Sequence, residues 1–406
     1  MEGYKFPKGF YCGAATSAHQ VEGGNRNDWT EWEAQSAKVK VKSAKLKVWP
    51  DFILKNYPNP LQEENYISGK SCDHYNRFRE DFDIAKSLGH NAHRFSIEWS
   101  RIEPEEGKFD EKEIEHYREV IKSLRERGVE PFVTLWHWTL PVWFARKGGW
   151  ASRRSIFYFS RFCERVALEF KNDVKFWIIL NEPGLWTADA YLFGIKPPMK
   201  RNIFKTAIVY FRLVKAHRMV YVSLRRINES FFIGISESGE WVEPVVAPTS
   251  IRHLFHHLRN YFFLFRIKGH FDFIGMNYYR RSALMPPGGG VHSDVGWEVD
   301  PEGVYHRLRG TWQRFKKPLF VTENGLADAR DIKRAKFIEE HIAQIARAVG
   351  EGIDVRGYFY WSLLDNFEWE KGFWPRFGLV EVDYKTMERR VRNSAILYKE
   401  LIKKSF

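Results

Sequence analysis

Two glutamates far apart in the chain sit in closely similar surroundings. Glu182 ends the run Trp177-Ile178-Ile179-Leu180-Asn181-Glu182-Pro183, and Glu323 lies in Phe320-Val321-Thr322-Glu323-Asn324-Gly325. Each follows an apolar run of the kind that forms a strand buried on both faces, and each has an asparagine beside it. A carboxyl at the C-terminal end of such a strand is where barrel enzymes keep their chemistry. A pair of carboxyls suits work at an acetal: one protonates the glycosidic oxygen while the other attacks the anomeric carbon. A lone strand-end glutamate more often marks a structural ion pair, whereas two in matched settings point to catalysis.

Bringing two strand ends together needs a framework, and the hydrophobic pattern supplies one. Short apolar runs predict strands over Phe10–Thr16, Asn91–Trp99, Pro131–His137, Lys175–Asn181, Phe231–Ser236, Phe271–Asn277, Pro318–Thr322 and Arg356–Leu363. Amphipathic stretches between them predict helices over His74–Leu88, Lys112–Arg127, Ser155–Asn172, Ile203–Ile227, Ile251–Lys268, Tyr305–Phe315, Ile332–Val349 and Arg390–Lys404. Alternation of strand and helix means a parallel sheet, and eight repeats favour closure. The expected fold is α/β, a single-domain (β/α)8 TIM barrel over residues 1–406.

Composition narrows the function classes. The formal net charge is +13, but the chain has no nucleic-acid motif and its Lys and Arg residues are dispersed, so a solvated basic surface is expected and nucleic acid is not. Three cysteines cannot close a disulfide framework, no metal-ligand spacing occurs, and no cofactor is implied. The N-terminus lacks a signal-peptide core and no apolar run is long enough to cross a bilayer, which suggests a cytoplasmic protein. Sixteen Trp residues, several near strand ends (Trp99, Trp136, Trp138, Trp177, Trp361), hint at pyranose stacking, although large core residues are the simpler reading. Few Gln, Cys and Met beside many Lys, Arg and Glu lean towards a thermophilic source.

The chain resembles glycoside hydrolase family 1, the β-glucosidases and β-galactosidases, and looks like an archaeal or thermophilic member. Matching segments occur in order: Phe10-Tyr11-Cys12-Gly13-Ala14-Ala15-Thr16-Ser17-Ala18-His19-Gln20-Val21-Glu22-Gly23, Asn91 to Ile102, Leu135-Trp136-His137-Trp138, Phe273 to Tyr279, and Trp361 to Trp369. The resemblance implies Glu182 as general acid then base, and Glu323 as the nucleophile of a covalent glycosyl-enzyme. It implies that Asn181 bonds the sugar 2-hydroxyl, and that Arg94 and Tyr279 hold Glu323 ionised. Gln20, His137, Glu368 and Trp369 would bind outer hydroxyls, Trp361 would stack under the sugar, and Trp138, Asn277 and Phe377 would complete the binding set. Members acting on 6-phosphosugars are expected to have Ser at Glu368, and Lys and Tyr at Pro375 and Phe377; a carboxylate at Glu368 repels phosphate. The implied substrate is a small, unphosphorylated β-glucoside or β-galactoside, with mannosides also open. A non-catalytic sugar-binding barrel is the rival, but degenerate relatives should lack one of the glutamates.

Some features depart from the family. Thr139 stands where many members have Asp. Lys38 to Val48 alternates basic and apolar residues, which predicts an edge strand or hairpin on the active-site rim. The connection from Glu237 to His270 is short and holds five large apolar residues, Tyr261 to Phe265. One helix face cannot bury all five, so some should be exposed, pack beneath a rim loop or meet a partner. The alternatives are tolerance of apolar aglycones and contact with a membrane surface. The oligomeric state is not readable.

Overall fold

The computed structural model describes residues 4–241, 257–282 and 289–405. Eight strands form a closed barrel in sequence order, with all neighbours parallel and β8 closing onto β1: β1 Tyr11–Ala15, β2 Ala92–Ser96, β3 Glu130–Thr134, β4 Phe176–Asn181, β5 Phe232–Trp241, β6 Phe273–Arg281, β7 Leu319–Asn324 and β8 Val355–Trp361. The long outer helices include Asp28–Ala44, His74–Ser87, Glu111–Glu126, Ser155–Glu169, Ile203–Ile227, Pro301–Phe315, Arg334–Gly350 and Asn393–Ser405. Among the described residues no helix is long and apolar enough to cross a membrane.

The barrel interior is filled, not hollow. Phe132, Phe176, Ile178, Phe273, Phe320 and Phe359 form one buried cluster, with Phe132 and Phe176 stacked at 4.1 Å between ring centroids. Trp177, Ile179, Leu180, Leu319 and Val321 belong instead to the core between sheet and helices. Strict alternation would put Leu180 on the inner side with Phe176 and Ile178 and send Asn181 outward. A register irregularity between Ile178 and Asn181 breaks the period, and others fall between Met276 and Asn277 and between Val321 and Asn324. Bulges of this kind re-aim side chains. Here all three adjoin the polar layer above the phenylalanines.

Four segments differ from the sequence expectations. Residues 38–44 are the last turns of the helix Asp28–Ala44, not an edge strand. Ala37, Val41 and Ala44 recur at helical spacing and are its buried face, while Asn27 caps the start by accepting from Trp29 and Thr30, so a local period of two loses to a capped helix. The second strand stops at Ser96, and Trp99 begins a short helix, Trp99–Ile102. The expected helix over residues 251–268 lies partly outside the described residues; within them Tyr261 separates helical residues 257–260 from Phe262–Arg266. Arg390 belongs to a two-stranded ribbon, Val380–Val382 with Arg389–Val391, that precedes the last helix. In the run Tyr261 to Phe265, Tyr261, Phe263 and Leu264 are buried and Phe265 is exposed.

Candidate active site

The bulged strand ends place Arg94 at the centre of a hydrogen-bond network. Its guanidinium is fully buried and donates from Nη1 to Glu323 Oε1 at 2.5 Å, from Nη2 to Asn181 Oδ1 at 2.7 Å and from Nε to Thr134 Oγ1 at 3.2 Å. Tyr279 donates its hydroxyl to Glu323 Oε2 at 2.6 Å, so each carboxylate oxygen has a donor. Asn277 lies opposite Glu323 in the β6–β7 register and donates to both Asn181 Oδ1 at 3.1 Å and Glu182 Oε1 at 3.0 Å. Glu323, Arg94, Asn181, Asn277 and Glu182 are therefore joined in one chain of hydrogen bonds.

Glu182 has φ +46°, a left-handed conformation unusual for a residue with a side chain, and Pro183 begins the next helix immediately after it. Its amide donates to Ser236 O at 2.7 Å, which fixes the turn to β5. Trp138 and Trp369 also have positive φ. Such strain persists where surrounding structure over-determines it, and functional sites are the usual setting.

Glu182 lines a cavity of about 280 Å³ with Glu323, His137, Trp138, Asn181, Tyr279, Trp361, Glu368 and Trp369. Burial first, and then the charge of Glu323, raise its pKa from 4.5 to about 7, against the lowering hydrogen bond from Asn277. Burial likewise raises Glu368 to about 7, partly offset by Lys371. Burial pushes the pKa of His137 well down, so it is a neutral imidazole, with Nε2 against Asn181 Nδ2 at 3.1 Å and a buried Nδ1 lacking a partner. Its ring lies near-parallel to those of Trp361 and Trp369.

Of the residues selected from sequence, Arg94, Gln20, Asn277 and Phe377 stand behind the cavity wall. Gln20 donates to Phe367 O at 2.8 Å and reaches Glu368 Oε2 at 3.5 Å. Phe377 meets Tyr279 edge-on. Of the five tryptophans near strand ends, Trp138 and Trp361 line the cavity, while Trp99, Trp136 and Trp177 are buried in the outer core. Thr139, the departure from the family, donates to Glu98 at 2.9 Å. None of Tyr261 to Phe265 is among the residues lining this cavity, and Tyr261 packs under Arg307 and Arg314.

The sequence reading missed the cavity mouth. Lys196 pairs with Asp189 at 2.9 Å and lies 3.5 Å over the Trp138 ring. Arg280 pairs with Glu240 at 2.9 Å, and Lys371 with Glu370 at 2.6 Å, beside Trp297 and Arg259. Lys196, Lys371 and Trp297 come from connections without a periodic pattern, and Glu240 and Arg280 from the far ends of β5 and β6, beyond the apolar runs that mark those strands in the sequence. Outside the cavity lining, Glu237 is buried, has an Oε1 without a partner, and is raised to about 8 by burial and then by Glu182. Among the described residues no group of three His, Cys, Asp or Glu could hold a metal.

Residues 3–287 and 289–406 match glycosyl hydrolase family 1. The chain is 33% identical to a β-glucosidase A of Thermotoga maritima over 98% of both chains. It is 30% identical to a β-galactosidase of Sulfolobus acidocaldarius, covering 98% of this chain and 94% of that one. A solved β-glycosidase from Pyrococcus horikoshii superposes with a TM-score of 0.86 at 36% identity, over 99% of this chain and 96% of that one.

Proposed function

The chain belongs to glycosyl hydrolase family 1 and is a retaining β-glycosidase, and we propose that its substrates are terminal, unphosphorylated β-D-glucosides and β-D-galactosides. Glu182 acts as acid then base, and Glu323 as nucleophile. The observation that carries these roles is the different setting of the two carboxyls. Glu323 receives a donor on each oxygen, while Glu182 is buried with a pKa near 7 and so holds a proton well above the ordinary carboxylate range, up to about pH 7.

The proposed cycle follows. Glu323 attacks the anomeric carbon as Glu182 protonates the departing oxygen, giving a glycosyl ester on Glu323 and a free alcohol. Glu182, now a carboxylate, takes a proton from water, which attacks the same carbon and returns Glu323. Asn181, held by Arg94 and Asn277, offers its amide near His137, a setting that suits the sugar 2-hydroxyl. Glu368 supplies a carboxyl for the far hydroxyls and disfavours a phosphate. Three free, buried cysteines support a reducing, cytoplasmic setting.

Hydrolysis of an activated aryl β-glucoside by wild type and Glu323→Ala, each with and without azide, tests the assignment. The variant should be inactive alone and form the α-glycosyl azide when azide replaces the missing carboxylate. A β-azide, or retained hydrolysis, would place the nucleophile elsewhere.

A further inference from the structure

A second feature lies outside the cavity. From Ala190 to Asn228 the chain has no acidic residue and nine cationic ones, Lys196, Lys200, Arg201, Lys205, Arg212, Lys215, Arg218, Arg225 and Arg226. The same stretch carries large apolar side chains facing water: Ile203 is 67% exposed, Phe204 79% and Phe193 56%, with Ile208 and Phe211 also exposed. Phe204, Ile208 and Phe211 share one face of the helix Ile203–Ile227. Phe193 is tied to the helix start, since Arg201 Nε donates to its carbonyl at 3.1 Å. Arg266 caps the lower end of the patch over Phe211 and Phe262. Lone exposed apolar residues are ordinary; a joined patch framed by cations is not.

Its position matters. The patch starts at the C-terminal rim of the barrel, because the helix returns from the end of β4. Lys196, in the same stretch, lines the catalytic cavity. We propose that this surface docks the enzyme on an anionic lipid bilayer, with the cavity mouth beside the headgroups. Aromatic and branched side chains enter the interface while Lys and Arg meet the lipid charge. A second copy of the chain is the poorer occupant: of the nine cations Lys196 and Arg225 are paired, with Asp189 and Asp272 from outside the stretch, and a two-fold interface would set the others, Lys200, Arg201 and Lys205 among them, against like charges. The proposal rests on the glycosidase reading only for what the cavity receives, a glycoside presented at the membrane surface.

Co-sedimentation tests it, with phosphatidylcholine vesicles with and without phosphatidylglycerol, at low and high salt. Wild type should sediment with the anionic vesicles at low salt and be released by salt. Phe204→Ser with Ile208→Ser, and separately Lys200→Glu with Arg201→Glu, should each weaken binding about tenfold or more while leaving turnover of a soluble aryl glucoside unchanged. Glu323→Ala should bind as wild type does, which separates docking from catalysis. Wild type left in the supernatant at low salt, or binding indifferent to both patch variants, overturns the proposal. So does a dimer in solution that Phe204→Ser disperses.

Discussion

The pKa of Glu182 should depend on the charge of Glu323, and the dependence can be sized. Burial and the Glu323 carboxylate lift Glu182 from 4.5 to about 7, which corresponds to roughly 3 kcal/mol in favour of the protonated form. A like charge across so narrow a cavity is worth about 1–2 pH units at an effective dielectric near 20. Burial persists when that charge is removed, so the value should settle between the two limits. Two perturbations remove it: Glu323→Gln, and esterification of Glu323 by a slowly hydrolysed 2-fluoroglycoside. Carbon-13 NMR titration of the Glu182 carboxyl reads the result. Wild type should titrate near 7, and both neutralised forms should titrate about 1–2 units lower. The sign matches the cycle, since an acid is needed before the ester forms and a base afterwards. The basic limb of kcat/KM should likewise fall as pH rises through about 7, because the free enzyme then loses its acid proton. A Glu182 that titrates at the same pH in all three forms would refute the electrostatic part of this account, and one that titrates at 4.5 in wild type would refute the rest.

Tyr279→Phe deletes the 2.6 Å hydrogen bond to Glu323 and should lower kcat/KM about 10–100-fold, measured on aryl glucosides; an unchanged rate would mean that Arg94 alone orients the nucleophile. Glu368→Ala should cost glucosides and galactosides alike about 100-fold in kcat/KM, and a loss under threefold for either epimer would remove Glu368 from the binding set. Glu237 has a folded pKa near 8, above its ordinary 4.5, so the folded state holds a proton that the unfolded chain has released, and this group's contribution to stability falls as pH rises from about 4.5 to 8. Glu237→Gln should therefore match wild type near pH 4 and exceed it by roughly 4 kcal/mol above pH 8, read by guanidinium unfolding at both pH values; a variant less stable at high pH would show that Arg307 needs the carboxylate.

What the sequence made legible follows from which physical signals are local. The strands were visible because a barrel strand is apolar on both faces, and the two glutamates because a carboxyl at the end of such a run is conspicuous. The bulges that turn Asn181 inward were not visible. Leu180 and Asn181 read as a continued run, and only pairing with β5 shows where the period breaks. The segment from Lys38 to Val48 misled for a related reason. Its alternation is local, whereas its helix is set by the Asn27 cap eleven residues earlier and by the burial of Ala37, Val41 and Ala44. Position relative to the rim was also hidden. Tyr261 to Phe265 looked like the exposed apolar surface, yet Tyr261, Phe263 and Leu264 are buried, with Tyr261 against Phe315. Phe204, Ile208 and Phe211 fit an ordinary amphipathic helix in sequence, and their exposure appears only once Val209, Leu213 and Val220 occupy the face against the barrel. A hydrophobic count cannot distinguish these cases, because both helices carry enough apolar residues to cover the sheet. Acidic residues are absent along the exposed stretch and present at the cavity mouth, where each of Lys196, Arg280 and Lys371 has a carboxylate partner. Charge compensation thus separates a mouth built to hold a neutral sugar, Lys196 included, from the outer surface, where Lys200, Arg201, Lys205 and Lys215 lie in a stretch with no acid of its own.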